Sequence, residues 1–168
     1  MAPLLTFTAE EIWDSLPESQ REAPSVHLTA FPQADPRHKN AELEKRWDRL
    51  LAVRAEVQAE LEKKRREKLI GAPLEAKVTI YAGQQTHDFL KSYETELPAL
   101  FIVSQVVLWP PGQVFREGKL VEGTGDDFSV DVAKADGKKC VRCWNYRSTV
   151  GANAAHPELC DRCVEAIA

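Results

Sequence analysis

The 168-residue sequence predicts an α+β fold, and three observations carry that expectation. Apolar residues recur at three- and four-residue steps from Ala41 to Leu69, the period of one long helix. After Pro73 the period falls to two, with Ala76, Val78, Ile80 and Ala82 on one side of "EAKVTIYA", as in a half-buried strand. All four cysteines then fall between Cys140 and Cys163, in two pairs with two residues inside each pair. The expected organisation is a helical segment with one long helix over residues 1–73, a small α/β unit over 74–136 and a four-cysteine module over 137–168.

In chain order, "TFTAEEIWDSLP" opens on Thr8 with Glu11 three positions on, the pattern of a capping box, and sets Ile12, Trp13 and Leu16 on one helical stripe. Pro17 stops that helix. Ahead of it, Pro3, Leu4, Leu5 and Phe7 form an apolar leader without an evident partner, as expected if the chain begins partway through a larger helical body. Residues 17–39 carry four prolines and read as a connector, in which "SVHLTAF" could supply a short extended piece. The long helix follows, with Leu43, Trp47, Leu50, Leu51, Val57 and Leu61 on its stripe, and Gly71 and Pro73 as its stop signals. Arg54 interrupts the stripe as an arginine laying its stem on the core. The run "EKKRREK" reads either as a solvated helix end, its cations suited to the C-terminal dipole, or as a nucleic-acid contact. Beyond the first strand, "THDFLKSYETEL" reads as a short helix, "LFIVSQVVLW" as a second strand closed by Pro110-Pro111-Gly112, and "DFSVDVAKAD" as a third, with Phe128, Val130 and Val132 alternating.

Composition sets the class. With 43% hydrophobic and 29% charged residues the chain can bury one core and a small satellite. No run approaches the roughly 18 apolar residues of a membrane span, and the N-terminus lacks a basic-then-apolar signal, so a cytoplasmic, reducing setting without membrane or disulfides is expected. A net charge of −4 excludes wholesale coating of nucleic acid, yet the charge is uneven. Residues 71–136 hold ten acids against five bases, whereas residues 137–168 hold five bases against three acids. An anion-binding surface is therefore expected at the C-terminal end or along residues 63–68.

Cys140-x2-Cys143, sixteen residues, then Cys160-x2-Cys163 is the spacing of two knuckles closing on one tetrahedral metal. Four thiolates leave no open position, which suits one structural Zn2+ rather than a catalytic ion. A redox Cys-x2-Cys usually stands alone. His156 lies in the loop between the pairs and reads as a solvated residue rather than a fifth candidate ligand. Arg142 sits inside the first pair, with Trp144 directly after it and Tyr146 and Arg147 close behind. A cation and an aromatic on a rigid turn suit a nucleotide base, since aromatic stacking tolerates any base. On spacing alone, Trp144 is equally well a cap on the apolar side of the metal module.

The segments "FTAEEIW…LP", "LLAVRAEVQAELEKKRREKLIGAPLEAKVTIYA" and "KCVRCWNY…AAHPELCDRCVEAI" together resemble the C-terminal portion of bacterial isoleucyl-tRNA synthetases, class I aminoacyl-tRNA synthetases. The resemblance covers almost the whole chain and is most specific in "GAPLEAKVTIYA" and the cysteine module. It implies that residues 1–73 end a helical anticodon-binding bundle and that the zinc module contacts the anticodon arm of isoleucine tRNA. Arg142 and Trp144 would touch the anticodon loop, and Lys138, Lys139, Arg147 and Arg162 would attract phosphates. The family's catalytic signatures "HIGH" and "KMSKS" are absent from the chain, so no catalytic residue is expected here. ATP and Mg2+ would belong only to a catalytic domain outside it, and the other domains of the parent protein would be partners. Two rival readings share the cysteines. One is the finger of a DNA-repair glycosylase of the formamidopyrimidine type, although that enzyme needs an N-terminal proline and Pro3 follows Met1-Ala2. The other is a stand-alone zinc-ribbon module that binds protein. The synthetase reading expects no DNA partner.

Overall fold

Helix α1 (Thr6–Asp14) begins two residues before the expected cap. In this computed structural model, which describes residues 2–167, Leu5 is the N-cap, its carbonyl accepts from Ala9 N–H at 2.7 Å, and no side chain caps the end. Thr8 therefore lies inside the first turn, and the Thr8/Glu11 capping box does not form. The connector folds back through polar contacts: Trp13 Nε1 donates to the Ala23 carbonyl at 2.9 Å, and Ser25 Oγ donates to Glu10 Oε2 at 2.9 Å. "SVHLTAF" forms a 3-10 turn over Val26–Leu28 instead of an extended piece. Ser25 Oγ accepts the His27 N–H at 3.2 Å, a local cap that is available without any partner strand. This first unit ends at Ala41.

The second unit starts at Glu42 and includes nearly all of the long helix α2 (Ala41–Arg66). Its buried residues Leu50, Val53, Val57 and Leu61 repeat at three- and four-residue steps, while Leu43, Trp47 and Leu51 stay exposed. Arg54 Nε donates to the Leu100 carbonyl at 3.0 Å, so the arginine in the stripe satisfies a backbone acceptor. The helix stops before Gly71. Lys68 takes the left-handed conformation (φ 60°), its N–H reaching Arg65 O at 3.0 Å while Leu69 N–H reaches Lys64 O at 3.0 Å. That pair of bonds is a Schellman stop with lysine where glycine usually sits. Gly71 lies outside the helix, its N–H held by Glu75 Oε2 at 2.8 Å.

Strand β1 (Ala76–Ala82) is the centre of a three-stranded sheet ordered β2-β1-β5. Here β2 (Gln105–Leu108) runs parallel to β1 and β5 (Phe128–Lys134) antiparallel to it. Ala76, Val78, Ile80 and Ala82 share one core with the α2 stripe, Val132, and the buried residues of α3 (Gln84–Lys91) and α4 (Leu97–Phe101). Full burial of one such side chain contributes about 1.5–3 kcal/mol, so this cluster dominates the stability of the unit. Helix α4 replaces the first part of the expected second strand. Pro98 presets its first turn, and Leu97 and Phe101, four apart, bury together. Ile102 ends it in the left-handed conformation (φ 60°), so the strand begins only at Gln105. Between β2 and β5 lies a hairpin that the periodicity did not reveal, β3 (Gln113–Arg116) and β4 (Lys119–Glu122). Glu117 (φ 50°) and Gly118 (φ 81°) supply the two left-handed turn residues that a tight hairpin needs. Phe115 from this hairpin stacks on Tyr81 at 5.6 Å on the outer side of the sheet.

Candidate metal centre and its basic knuckle

The last part of the chain is built on two short strands, β6 (Lys138–Lys139) and β7 (Tyr146–Arg147), and one helical turn, α5 (Asp161–Glu165). The strands pair antiparallel, Lys138 opposite Arg147 and Lys139 opposite Tyr146. Gly137 (φ 90°) leads into them where a Cβ would run into the Arg147 backbone, so only glycine allows the approach. Cys140 leaves β6, Cys143 lies in the turn back to β7, Cys160 caps α5 and Cys163 sits within it. The four Sγ atoms all lie within 4.8 Å of one another, with Cys143 and Cys160 3.8 Å apart. A tetrahedral ion with zinc–sulfur bonds of about 2.3 Å needs sulfur–sulfur edges of about 3.8 Å. The donor set and its spacing fit a closed, structural Zn2+. Cys140, Cys160 and Cys163 are buried, Cys143 is half-buried, and among the described residues Val150 and Leu159 are the other apolar residues packed there. His156 is exposed in the loop and not among the clustered ligands.

The local electrostatics prepare thiolate. Burial opposes ionisation of Cys140, but backbone N–H groups of Cys143, Cys160 and Arg142 turned toward its sulfur outweigh that and pull the thiol down to about 6. Burial, with neighbouring sulfurs, pushes Cys160 up to about 12. A metal needs all four sulfurs as thiolates, so its binding would displace the remaining protons.

The first knuckle also presents the aromatic. Cys140 N–H donates to Asn145 O at 2.9 Å and Trp144 N–H to Cys140 O at 2.9 Å, closing a small ring of backbone around the metal ligands. Trp144 closes it in the left-handed conformation (φ 64°), a strained choice for a bulky residue. Its side chain is 60% exposed and so does not cap the metal module. Arg142 is exposed beside it, and Lys139 Nζ lies 5.6 Å from the Trp144 ring centroid.

A family model described as the anticodon-binding domain of tRNA ligase matches residues 1–80, and one described as a zinc finger found in FPG and IleRS matches residues 137–166. The second is common to both enzyme classes considered from the sequence, so the rest of the chain decides. Isoleucine–tRNA ligases from Desulforudis audaxviator (42% identical), Symbiobacterium thermophilum (45%) and Syntrophotalea carbinolica (46%) align over 97%, 97% and 98% of this chain. The chain belongs to the isoleucine–tRNA ligase family. It spans 17%, 18% and 17% of those three relatives and is a C-terminal piece.

In this isoleucine–tRNA ligase piece the two expected anion-binding surfaces differ in how far their charge is used internally. On α2, Lys63 pairs with Glu60 at 3.5 Å, Lys64 with Glu67 at 3.0 Å, and Arg65 and Arg66 both with Glu62, at 2.8 and 3.2 Å. That run is a solvated, self-paired helix end. On the zinc module Lys138, Lys139, Arg142 and Arg162 are exposed and form no ion pair among the described residues. Arg147 is half-buried and faces Asp161 at 3.7 Å, so its charge is partly spent within the module. Backbone bonding from Arg162, then the Thr149 hydroxyl, then the Arg147 charge hold the Asp161 carboxyl below its usual range.

Sequence reasoning missed the residues that hold the ligase-family zinc module against the α/β unit. Ser104 Oγ, in a residue only 8% exposed, donates to the Leu74 carbonyl at 2.5 Å and accepts the Tyr146 N–H at 2.7 Å. Next to it, the Gln105 side chain accepts from Asp136 N–H and donates to Asp136 O, both at 2.9 Å, fixing the residue that leads into the module, and its Nε2 lies 3.5 Å from the Tyr146 carbonyl of the module itself. A serine and a glutamine at the start of a strand carry no sequence signal for this task, because their partners lie thirty or more residues away.

Proposed function

We propose that this chain is the anticodon-arm-binding region of an isoleucine–tRNA ligase, whose whole protein attaches isoleucine to its tRNA using ATP through an aminoacyl-adenylate. ATP and Mg2+ belong to a catalytic region outside this chain, and the other domains of that protein are its covalent partners. The exposure of Leu4 (88%) and Phe7 (85%) in the first unit supports such neighbours. Functionally we divide the chain at residues 73 and 136; the zinc-finger match starts at 137, which supports the second boundary, while the anticodon-binding match runs past the first to residue 80, inside β1. We place the protein in the cytoplasm, where tRNA is charged; no helix among the described residues is long and apolar enough to cross a membrane.

The observation that carries the reading is Trp144, an exposed aromatic on a metal-braced turn beside Arg142, a cation without an ion pair among the described residues. An anticodon loop offers unpaired bases, which aromatic rings stack on and arginine contacts at an edge or phosphate. In this assignment Trp144 stacks on a base, Arg142 pairs with a base or phosphate, and Lys138, Lys139, Arg162 and the unspent part of Arg147 attract phosphates. Zinc supports the turn without touching RNA. The test is binding of this chain to isoleucine tRNA and to a non-cognate tRNA across a salt series, with Trp144→Ala and Arg142→Ala checked for zinc content. Base stacking is typically worth about 1–3 kcal/mol, so Trp144→Ala should weaken binding roughly ten- to a hundredfold without changing the salt slope. Equal binding of both tRNAs, or wild-type binding by zinc-replete Trp144→Ala, overturns the assignment.

A further inference from the structure

We infer that Lys139 is the back wall of the Trp144 stacking site: its ammonium covers one face of the indole and leaves the opposite face to a single base. The inference rests on the stacking role of Trp144 proposed above and assigns Lys139 a task in addition to phosphate attraction. Three observations carry it. First, Lys139 Nζ lies 5.6 Å from the ring centroid, inside the roughly 6 Å range at which a cation is attracted to an aromatic face. Second, both backbones are held by the same knuckle. Lys139 is fixed opposite Tyr146 in the β6–β7 ladder, and Trp144 is fixed by its bond to Cys140 O and its left-handed backbone. Third, Lys139 is exposed and has no carboxylate partner among the described residues, so the ring is the one group that holds it.

An exposed indole on a short turn can otherwise rotate about its side-chain bonds and offer either face. A cation on one face removes that freedom before RNA arrives, and ordering a side chain in advance strengthens binding without adding a contact to the ligand. Lys138 is the natural comparison. It has the same charge and is one residue away, but successive side chains of a strand point to opposite sides, so it lies away from the ring. The consequence is a coupling: Lys139 should matter to RNA binding mainly while Trp144 is present.

The experiment titrates a fluorescein-labelled RNA stem-loop carrying the isoleucine anticodon with this chain, using zinc-replete Lys139→Met, Lys139→Arg, Lys138→Met, Trp144→Ala and the double variants of Trp144→Ala with each lysine-to-methionine change. Methionine keeps the apolar stem without the charge, and arginine keeps the cation. We expect Lys139→Met to weaken binding about two- to fivefold more than Lys138→Met, the range of an exposed cation–aromatic contact. Lys139→Arg should recover most of that difference, and in the Trp144→Ala background the two methionine variants should be indistinguishable. An equal effect of Lys139→Met with and without Trp144 would overturn the inference and leave the stacking role standing. Wild-type binding by Trp144→Ala itself would instead remove the stacking role, and the back wall with it.

Discussion

Ser104 joins two parts of the second unit through a single hydroxyl, which makes it the most informative small perturbation. In Ser104→Ala the Leu74 carbonyl and the Tyr146 N–H each lose the partner now found at 2.5 and 2.7 Å. Leaving a buried donor or acceptor unsatisfied costs about 1–3 kcal/mol per group, and these two bonds are half-buried, which keeps the cost toward the lower part of that range. The Gln105–Asp136 pair of bonds remains and limits the damage, so the expected loss is about 2–4 kcal/mol, a large share of the roughly 5–15 kcal/mol that holds a typical domain folded. At about 1.4 kcal/mol per factor of ten, protection of the Tyr146 amide against hydrogen exchange should fall about 30- to 700-fold. The loss should be centred on Tyr146 and its neighbours, with the α2 core amides much less affected. Zinc content should stay at wild type because no ligand is touched. Ser104→Thr, which keeps the hydroxyl, should recover most of the protection. Tyr146 protection within twofold of wild type in zinc-replete Ser104→Ala would refute the clamp.

Further outcomes follow from other parts of the chain. Zinc should bind at one per molecule, and a chelator or any one Cys→Ser change should unfold residues 137–168 while α2 keeps its helicity, because among the described residues the module packs just Val150 and Leu159 beside its ligands; a native cysteine-region amide pattern in metal-free protein would contradict this. Lys68→Gly should raise stability by about 0.5–1 kcal/mol, read as a higher denaturant midpoint at unchanged slope, since glycine takes the left-handed stop without strain and the lysine makes no ion pair among the described residues. A lowered midpoint would show that the Lys68 side chain supplies something the backbone argument omits. Isoleucine-dependent pyrophosphate exchange by this chain should equal the no-enzyme control, as neither nucleotide-binding signature occurs in it; exchange above that control would place catalytic residues here after all.

Features that depend on local repetition were legible in the order of the amino acids alone. The spacing of Leu50, Val57 and Leu61 and the alternation of Ala76, Val78, Ile80 and Ala82 are periods of single elements, and these residues are buried in the structure, whereas Leu43, Trp47 and Leu51 of the same predicted stripe stay exposed. The two cysteine pairs were legible for a related reason, because a metal knuckle needs its two thiols two residues apart whatever surrounds them. Tertiary structure decided what depends on distant partners. Both unexpected helix stops, at Lys68 and Ile102, use non-glycine residues in a conformation that only the surrounding packing makes worthwhile. The two basic runs look alike in sequence, but glutamates one helical turn away neutralise Lys63–Arg66, while Lys138, Lys139, Arg142 and Arg162 find no acid among the described residues. Spacing left Trp144 open between cap and platform; its 60% exposure argues against the cap, because exposure is a property of everything packed around a residue and not of its neighbours in the chain. Ser104 and Gln105 were invisible for the same reason, since a hydroxyl and an amide acquire a task only when folding brings Leu74, Asp136 and Tyr146 to them.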